Sequence, residues 1–122
     1  NFSPVSPNDT LGDFVKVVSK SQRNVFPVVD ENNLFLGVVF INDVREILFK
    51  PELYDSTYVS NLMFMPDTYI DKQATMEDVA RKFHETAHYN LPVLDQGKYI
   101  GFVSRANVFS AYRSMVKEFS KD

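Results

Sequence analysis

The chain has 122 residues, of which 44% are hydrophobic and 24% are charged, and its 13 basic and 16 acidic side chains give a formal charge of −3. This length and composition predict a soluble domain with a sizeable core and exclude general disorder, and the acidic balance argues against a nucleic-acid partner. The absence of cysteine excludes disulfides, thiol nucleophiles and cysteine-bound zinc, and it fits a reducing compartment.

The first half of the chain is predicted to fold as strand, helix, strand, strand, helix. A helix begins after Thr10, and Asp13 stands three residues further on, as in a capping box that satisfies free backbone N–H groups. Apolar side chains then recur at helical spacing, which predicts one buried face. The other predicted elements of this half are strands at 2–5, 25–29 and 35–41 and a helix at 42–49.

The second half repeats the order of the first. Thr75 and Asp78 stand 65 residues after their counterparts in the first cap, and further matches follow in the same order. After a connector at 51–66, strands are predicted at 68–70, 91–94 and 99–104, with helices after Thr75 and at 105–119. Because each repeat is too small to bury its apolar faces alone, we expect 1–57 and 58–122 to pack about a pseudo-two-fold axis.

Gly37 and Gly101 are single glycines inside predicted strands, and they occupy equivalent places in the two repeats. A glycine in a strand interior commonly marks a point where another backbone approaches closely. We therefore expect a close backbone contact at each of these two positions.

Two copies of one motif carry a resemblance to a known family. The copies are Phe26-Pro-Val-Val-Asp30 with Gly37-Val-Val-Phe-Ile-Asn-Asp43, and Leu91-Pro-Val-Leu-Asp95 with Gly101-Phe-Val-Ser-Arg-Ala-Asn107. They resemble the CBS domain pair, or Bateman module, a regulatory module often found beside channels, transporters and metabolic enzymes. The resemblance implies an α/β fold of tandem CBS repeats, β-α-β-β-α twice, and a regulatory rather than catalytic role.

A narrower resemblance rests on the segment from Asp43 to Tyr54. It is similar to the linker of CBS pairs at the cytoplasmic C-terminus of prokaryotic ClC-type chloride channels or transporters. This implies a cytoplasmic domain of an inner-membrane protein, with the membrane-embedded part in the same polypeptide. A homodimer is also expected, and an apolar stripe on the last helix is a hypothetical contact with the second copy or the channel body; it includes Tyr112, Met115 and Phe119.

CBS pairs bind adenine nucleotides in two clefts between their repeats, so the resemblance implies AMP, ADP or ATP as a regulatory ligand, with no cofactor required. The family pattern has a ribose-binding Asp at the start of the second helix and a Ser or Thr near the phosphates three residues earlier. A carboxylate can accept both ribose hydroxyls, and a helix N-terminus attracts phosphate.

Each repeat of this chain matches half of the pattern. Asp43 matches in the first repeat, where Phe40 replaces the hydroxyl residue. Ser104 matches in the second repeat, where Asn107 replaces the Asp. Because each repeat keeps half of the pattern, a structural dimerisation module with degenerate nucleotide pockets is the alternative prediction.

The resemblance also implies which residues form each cleft. The first cleft is assigned Val5, Arg23, Asn24 and Val25, facing Ser104, Arg105 and Asn107. The second cleft is assigned Asn42 and Asp43, facing Tyr69, Ile70, Tyr89, Asn90 and Leu91. Arg23 and Arg105 are predicted to meet phosphate charge in the first cleft, and an aromatic ring, Tyr69 or Tyr89, is predicted to stack on adenine in the second.

The segment His84-Glu85-Thr86-Ala87-His88 is a literal H-E-x-x-H, the pattern in which two histidines on one helical face hold zinc and the glutamate acts as general base. A zinc hydrolase is therefore a remote third hypothesis. A catalytic site needs a third protein ligand, and the chain has no third histidine. We expect structural or surface histidines here, no metal site and no catalytic residues.

Overall fold

The structure is a computed structural model that describes residues 4–108. Its described residues divide into two compact units: unit 1 holds 4–67 with 97–99, and unit 2 holds 68–96 with 100–108. The predicted contact stripe at Tyr112, Met115 and Phe119 lies outside the described residues. Within 4–108, no helix is long and apolar enough to cross a membrane.

Unit 1 begins with a capped helix, α1, at Leu11–Ser19. The Thr10 hydroxyl accepts a bond from the Asp13 backbone N–H, and the Asp13 carboxylate accepts one from the Thr10 N–H, each at 3.1 Å. This confirms the predicted capping box. The buried face of α1 carries Phe14, whose ring meets Phe26 edge to face with centroids 5.4 Å apart. Packing of α1 against the following strand therefore forms the centre of the unit 1 core.

The sheet of unit 1 pairs β1 (Val25–Val29) with β2 (Phe35–Phe40) in antiparallel register, with a bulge between Val28 and Val29. Val5 lies parallel to β1 beside Val28, and Val38 of β2 bridges to Phe64 on its other side. The β1 and β2 bounds confirm the strands that the apolar runs predicted. Because both strands are covered on both faces, they are apolar at almost every position.

The segment 97–99, which holds one turn residue and the first two residues of the last described strand, belongs to unit 1 through backbone pairing. The Phe35 N–H donates to the Gly97 carbonyl at 2.9 Å, and the Tyr99 N–H donates to the Asn33 carbonyl at 3.1 Å. The Asn33 side-chain amide also donates to the Tyr99 carbonyl at 2.8 Å. The Tyr99 ring stacks on Phe35 with centroids 6.4 Å apart, so this segment is held by both polar and aromatic contacts.

The second helix of unit 1 is shorter than predicted. α2 spans Ile41–Val44, and a 3₁₀ turn follows at Ile47–Phe49, where the sequence predicted one helix over 42–49. Arg45 and Glu46, between the two, keep helical dihedral angles. The chain therefore follows a helical path through 49 while its hydrogen bonding changes, and no side chain caps the start of α2 at Phe40.

Unit 2 has the same order of elements. Its sheet has the order β3-β4-β5, formed by Ile70–Asp71, Asn90–Asp95 and Lys98–Ser104, and β3 runs parallel to β4. Helix α3 spans Met76–Glu85, and the Thr75 hydroxyl accepts a bond from the Asp78 N–H at 3.1 Å. A helical turn follows at 105–108. The core of this unit is formed by Ile70, Phe83, Leu91 and Val108.

Equivalent backbone contacts confirm the duplication. Ile70 lies parallel to Val93 in unit 2, as Val5 lies parallel to Val28 in unit 1, and both pairs are related by the offset of 65 residues. The two helix caps are related in the same way. The chain is therefore a tandem β-α-β-β-α repeat.

The H-E-x-x-H segment does not form the two-histidine face that zinc binding by this motif requires. Helix α3 ends at Glu85, and Thr86 takes an extended conformation. His88 therefore lies beyond the helix, whereas the sequence pattern placed it on the same face as His84. Within residues 4–108, no group of three or more potential metal-ligating side chains is present.

Candidate functional site

In unit 1, one backbone hydrogen bond holds the entry to β1 against the start of α2. The Ile41 N–H donates to the Asn24 carbonyl at 2.9 Å. This bond brings Arg23 and Asn24, assigned to the first cleft, next to Asn42 and Asp43, assigned to the second. Unit 1 thus brings together residues that the sequence assigned to each of the two predicted clefts.

Asp43 stands at the wall of a cavity of about 510 Å³ in unit 1. Among residues 4–108, no hydrogen bond or ion pair engages its exposed carboxylate. The side-chain oxygen Oδ1 of the neighbouring Asn42 accepts a bond from the Arg45 guanidinium at 2.8 Å. The cavity is lined by Asn42, Asp43, Val44, Glu46, Ile47, Asn61 and Leu62. The free carboxylate is therefore available to a ligand with hydroxyl or other donor groups.

The other unit 1 residues assigned to the clefts differ in which of their groups are exposed to a ligand. Val5 and Val25 are buried in the core, so only their backbone groups could face a ligand. Arg23 and Asn24 are exposed. Phe40, at the position where the family pattern has a hydroxyl, packs its ring against Phe64 with centroids 5.3 Å apart. Unit 1 therefore keeps the carboxylate of the pattern but gives the hydroxyl position to apolar packing.

Unit 2 shows the equivalent backbone bond. The Arg105 N–H donates to the Tyr89 carbonyl at 2.8 Å, at positions that match Ile41 and Asn24 of unit 1. The Ser104 hydroxyl accepts a bond from the Asn107 N–H at 3.1 Å. Ser104 is thus the cap of the final described helical turn. Its hydroxyl, the group that the family pattern has near the phosphates, also stabilises this turn.

The Arg105 guanidinium is engaged by carbonyl groups of its own unit. Its Nη2 donates to the Phe83 and Thr86 carbonyls, both at 2.7 Å, and its Nε donates to the His88 carbonyl at 3.1 Å. The guanidinium also lies over the Phe83 ring, 5.6 Å from its centroid. The sequence predicted this side chain to meet phosphate, and this stays a prediction, while its Nε and Nη2 close the end of α3.

Two exposed tyrosines are among the unit 2 residues that the sequence assigned to the second cleft. Tyr89 is 77% exposed and Tyr69 is 46% exposed, so either ring could stack on a planar base. Asn90 is also exposed, whereas Ile70 and Leu91 are buried and offer backbone groups only. All five residues assigned to this wall therefore lie in one unit, and the aromatic surface that the sequence predicted is accessible.

Lys82 is a cationic neighbour of this wall that sequence reasoning missed. Its Nζ donates to the Tyr69 carbonyl at 2.6 Å and lies 5.4 Å from the centroid of the Tyr69 ring. No motif marks Lys82, because its proximity to Tyr69 follows from the packing of α3 beside β3. The sequence shows only that Lys82 precedes the apolar Phe83, and this does not indicate a contact with Tyr69.

The family model that describes the CBS domain matches residues 1–50 and 59–114. The chain therefore belongs to the CBS domain family, and the two matches make it a tandem CBS pair. The fold agrees, since the duplicated β-α-β-β-α order is the order that the resemblance implied.

Particular relatives include the chloroplastic proteins CBSX1 and CBSX2 of Arabidopsis thaliana, which are 26% and 27% identical over 88% and 97% of this chain. The chain spans only 57% and 61% of the length of these two relatives. A crystal structure of CBSX2 in complex with AMP is 30% identical, with a TM-score of 0.74 over 94% of this chain and 90% of that chain. Staphylococcus aureus OpuCA, at 22% identity over 94% of this chain and 95% of that chain, shares the fold with a TM-score of 0.76.

Proposed function

We propose that this CBS pair is a regulatory module that binds an adenine nucleotide and has no catalytic activity. The observation that carries the proposal is the Asp43 carboxylate at the wall of the unit 1 cavity, which no hydrogen bond or ion pair within the described range 4–108 engages. The volume of about 510 Å³ falls within the range of about 300–1,000 Å³ of small-molecule sites. The 30% identical relative in complex with AMP supports the choice of ligand class.

The chemistry of each wall suggests a role in binding. The Asp43 carboxylate accepts both hydroxyls of a ribose, since charged acceptors form the stronger hydrogen bonds. Tyr69 or Tyr89 stacks on the adenine base, and Lys82 adds positive charge near this wall. For the other cleft, Arg23 is the proposed cation for phosphate in unit 1, and Ser104 and Asn107 are the proposed polar groups in unit 2.

Regulation follows from binding that favours one arrangement of the repeats over another. A nucleotide shifts the population between two arrangements only by its differential affinity for them. The module then passes this preference to whatever protein part it is attached to. No reacting group is needed, and AMP, ADP and ATP are the candidate ligands.

Calorimetric titration with AMP tests the role of Asp43. We expect Asp43→Asn to weaken AMP binding by about tenfold or more, because the neutral amide loses charge-assisted bonds to the ribose. Asp55→Asn is the matched control, since Asp55 is also an exposed aspartate of unit 1 but does not line the cavity. Equal binding by the wild type and both variants would overturn the assignment of this residue.

A structural dimerisation module with degenerate nucleotide pockets is the second candidate function. Two observations favour it: Phe40 gives the hydroxyl position to packing against Phe64, and Asn107 lacks the carboxylate of the pattern. This alternative predicts that a homodimer forms in sedimentation experiments while AMP, ADP and ATP all fail to bind. Nucleotide binding that Asp43→Asn weakens would exclude it.

The attached part is proposed to be a ClC-type chloride channel or transporter of the inner membrane, with this module on its cytoplasmic side. The support is the similarity of the segment from Asp43 to Tyr54 to the linker of such modules. In this segment the Tyr54 hydroxyl donates to the Leu48 carbonyl, which joins its successive 3₁₀ turns. Chloride flux through the full-length protein in liposomes, measured with and without AMP, tests the attachment; absence of chloride flux would contradict it.

A further inference from the structure

Arg105 joins two segments of unit 2 that are distant in sequence. Its backbone N–H holds the Tyr89 carbonyl, and its side chain holds the carbonyls of Phe83, Thr86 and His88. One residue at the start of the final helical turn therefore anchors the whole connection from α3 to β4. This connection, 86–89, leads directly into Tyr89 and Asn90 of the proposed binding wall.

The equivalent residue of unit 1 forms no such anchor. Ile41 donates its backbone N–H to Asn24 in the same way, but its side chain is apolar and buried in the core. The end of α1 is closed by its own backbone, since the N–H groups of Lys20 and Ser21 donate to carbonyls of the preceding turn. In contrast, α3 ends in the extended Thr86. The Arg105 side chain therefore supplies what the local backbone of α3 does not.

The geometry points to a positioning role for Arg105 rather than a contact with ligand. Three donated bonds to carbonyls and the Phe83 ring fix the planar guanidinium in one orientation. To bind a phosphate through Nε or Nη2, the side chain would have to leave the end of α3 and expose those carbonyls, and only the Nη1 N–H groups lie outside these three bonds. A lysine could not replace it, because one ammonium on a flexible stem does not match three separately placed carbonyls.

We propose that Arg105 is a positioning residue that holds the 86–89 connection, and with it Tyr89, in the conformation that receives an adenine ring. The inference rests on the proposed nucleotide-binding function for its effect on ligand affinity. The hydrogen bonds from Arg105 to the 86–89 connection, called the latch below, can be tested separately. Its effect on binding passes through Tyr89 and Asn90, so it concerns the nucleoside part of the ligand and not its phosphates.

Amide hydrogen exchange measured by NMR without nucleotide tests the latch. In Arg105→Gln and Arg105→Lys, we expect protection of the residue 105 amide, which bonds to Tyr89, to fall about tenfold or more. The Ile41 amide, which makes the equivalent bond in unit 1, is the internal control and should keep its protection. Unchanged protection at residue 105, or an equal fall at both amides, would overturn the latch.

Titration with adenosine and with AMP separates positioning from phosphate contact. If Arg105 positions Tyr89, Arg105→Lys weakens adenosine and AMP by the same factor, about tenfold, at a temperature where the variant is folded. If Arg105 contacts phosphate, the variant weakens AMP alone, and the positioning role is overturned. If the wild type binds neither probe, the proposed function fails, and the exchange measurement alone decides the latch.

Discussion

A Cβ atom built on Gly37 would lie 2.6 Å from the carbonyl oxygen of Phe64. The backbone of Gly37 also has a φ of +153°, at the edge of the region that side chains rarely adopt. The close approach exists because the N–H of Val38 donates to the Phe64 carbonyl at 2.9 Å and thereby joins the connector to β2. Gly37 is therefore required by the packing of the connector on the sheet of unit 1.

Gly37→Ala is expected to lower the free energy of unfolding by roughly 2 kcal/mol or more, since the added methyl meets backbone atoms that cannot move aside cheaply. Gly101→Ala is the matched control at the equivalent position, because no atom of the described residues lies within 4 Å of its Cβ. Its effect should stay within about 0.5 kcal/mol. Thermal unfolding of both variants provides the comparison, and equal losses of stability would contradict this account.

The two glycines also show how far the repeat can be used as a guide. The sequence predicted a close backbone approach at both Gly37 and Gly101. The structure confirms it at Gly37, whereas no such approach to Gly101 is present among residues 4–108. The contact at Gly37 depends on an isolated bridge from Val38 to Phe64 of the connector, and a sequence motif cannot predict whether such a neighbour is present.

The helix caps are expected to make stability fall in acid. Hydrogen bonds from Thr10 lower the pKa of Asp13, and bonds from Arg81 and then Thr75 lower that of Asp78. A carboxylate with a lowered folded-state pKa stabilises the fold above its unfolded value of about 3.8, and this contribution is lost as the pH falls through the folded pKa. In unfolding experiments from pH 6 to pH 2, Asp13→Asn with Asp78→Asn should show a shallower loss below pH 4 than the wild type. Parallel curves would contradict the role of these caps.

Tyr99 is expected to make stability fall in alkali. Burial raises its pKa to about 12, against a smaller opposing effect of the Arg23 charge. A raised phenol pKa means that the neutral form is favoured in the folded state, so stability is lost as the pH rises from about 10 to 12. Tyr99→Phe keeps the ring that stacks on Phe35 and should remove part of this loss. Phenol ionisation is followed by absorbance in the wild type and the variant. Coinciding curves would refute the assignment to Tyr99.

Zinc is expected to be absent at stoichiometric amounts from the untagged protein. Because α3 ends at Glu85, His84 and His88 do not share a helical face, and this pair lacks the geometry of the zincin motif. Metal analysis of protein purified without added metal should give well below one zinc per chain. A content of one zinc per chain that is lost in His84→Ala would contradict this prediction and support the hydrolase hypothesis.

Local sequence signals predicted the strands and the helix starts well. The β1 bounds at Val25 and Val29 and the caps at Thr10 and Thr75 follow from apolar runs and capping residues, which act over a few neighbours. The helix ends were predicted poorly. α3 stops at Glu85 where the apolar pattern continued to Ala87, because side-chain bonds from a distant part of the chain hold the connection in another conformation.

The candidate site was predictable only in part for the same reason. The motif identified Asp43, and the structure shows its carboxylate beside a cavity. The resemblance also assigned a phosphate role to Arg105 beside Ser104, which stays a prediction, and the sequence could not show that three carbonyls accept bonds from its Nε and Nη2. Residue type and spacing indicate which groups are available, whereas packing decides which of them remain free.

Thermal unfolding of the wild-type chain with AMP is a direct test of nucleotide binding. A ligand that binds only the folded state stabilises it by about 2.7 kcal/mol at 100 times its dissociation constant. We expect millimolar AMP to raise the unfolding midpoint by several degrees and Asp43→Asn to reduce this rise. A midpoint that AMP, ADP and ATP all leave unchanged at millimolar concentration would contradict nucleotide binding by this module.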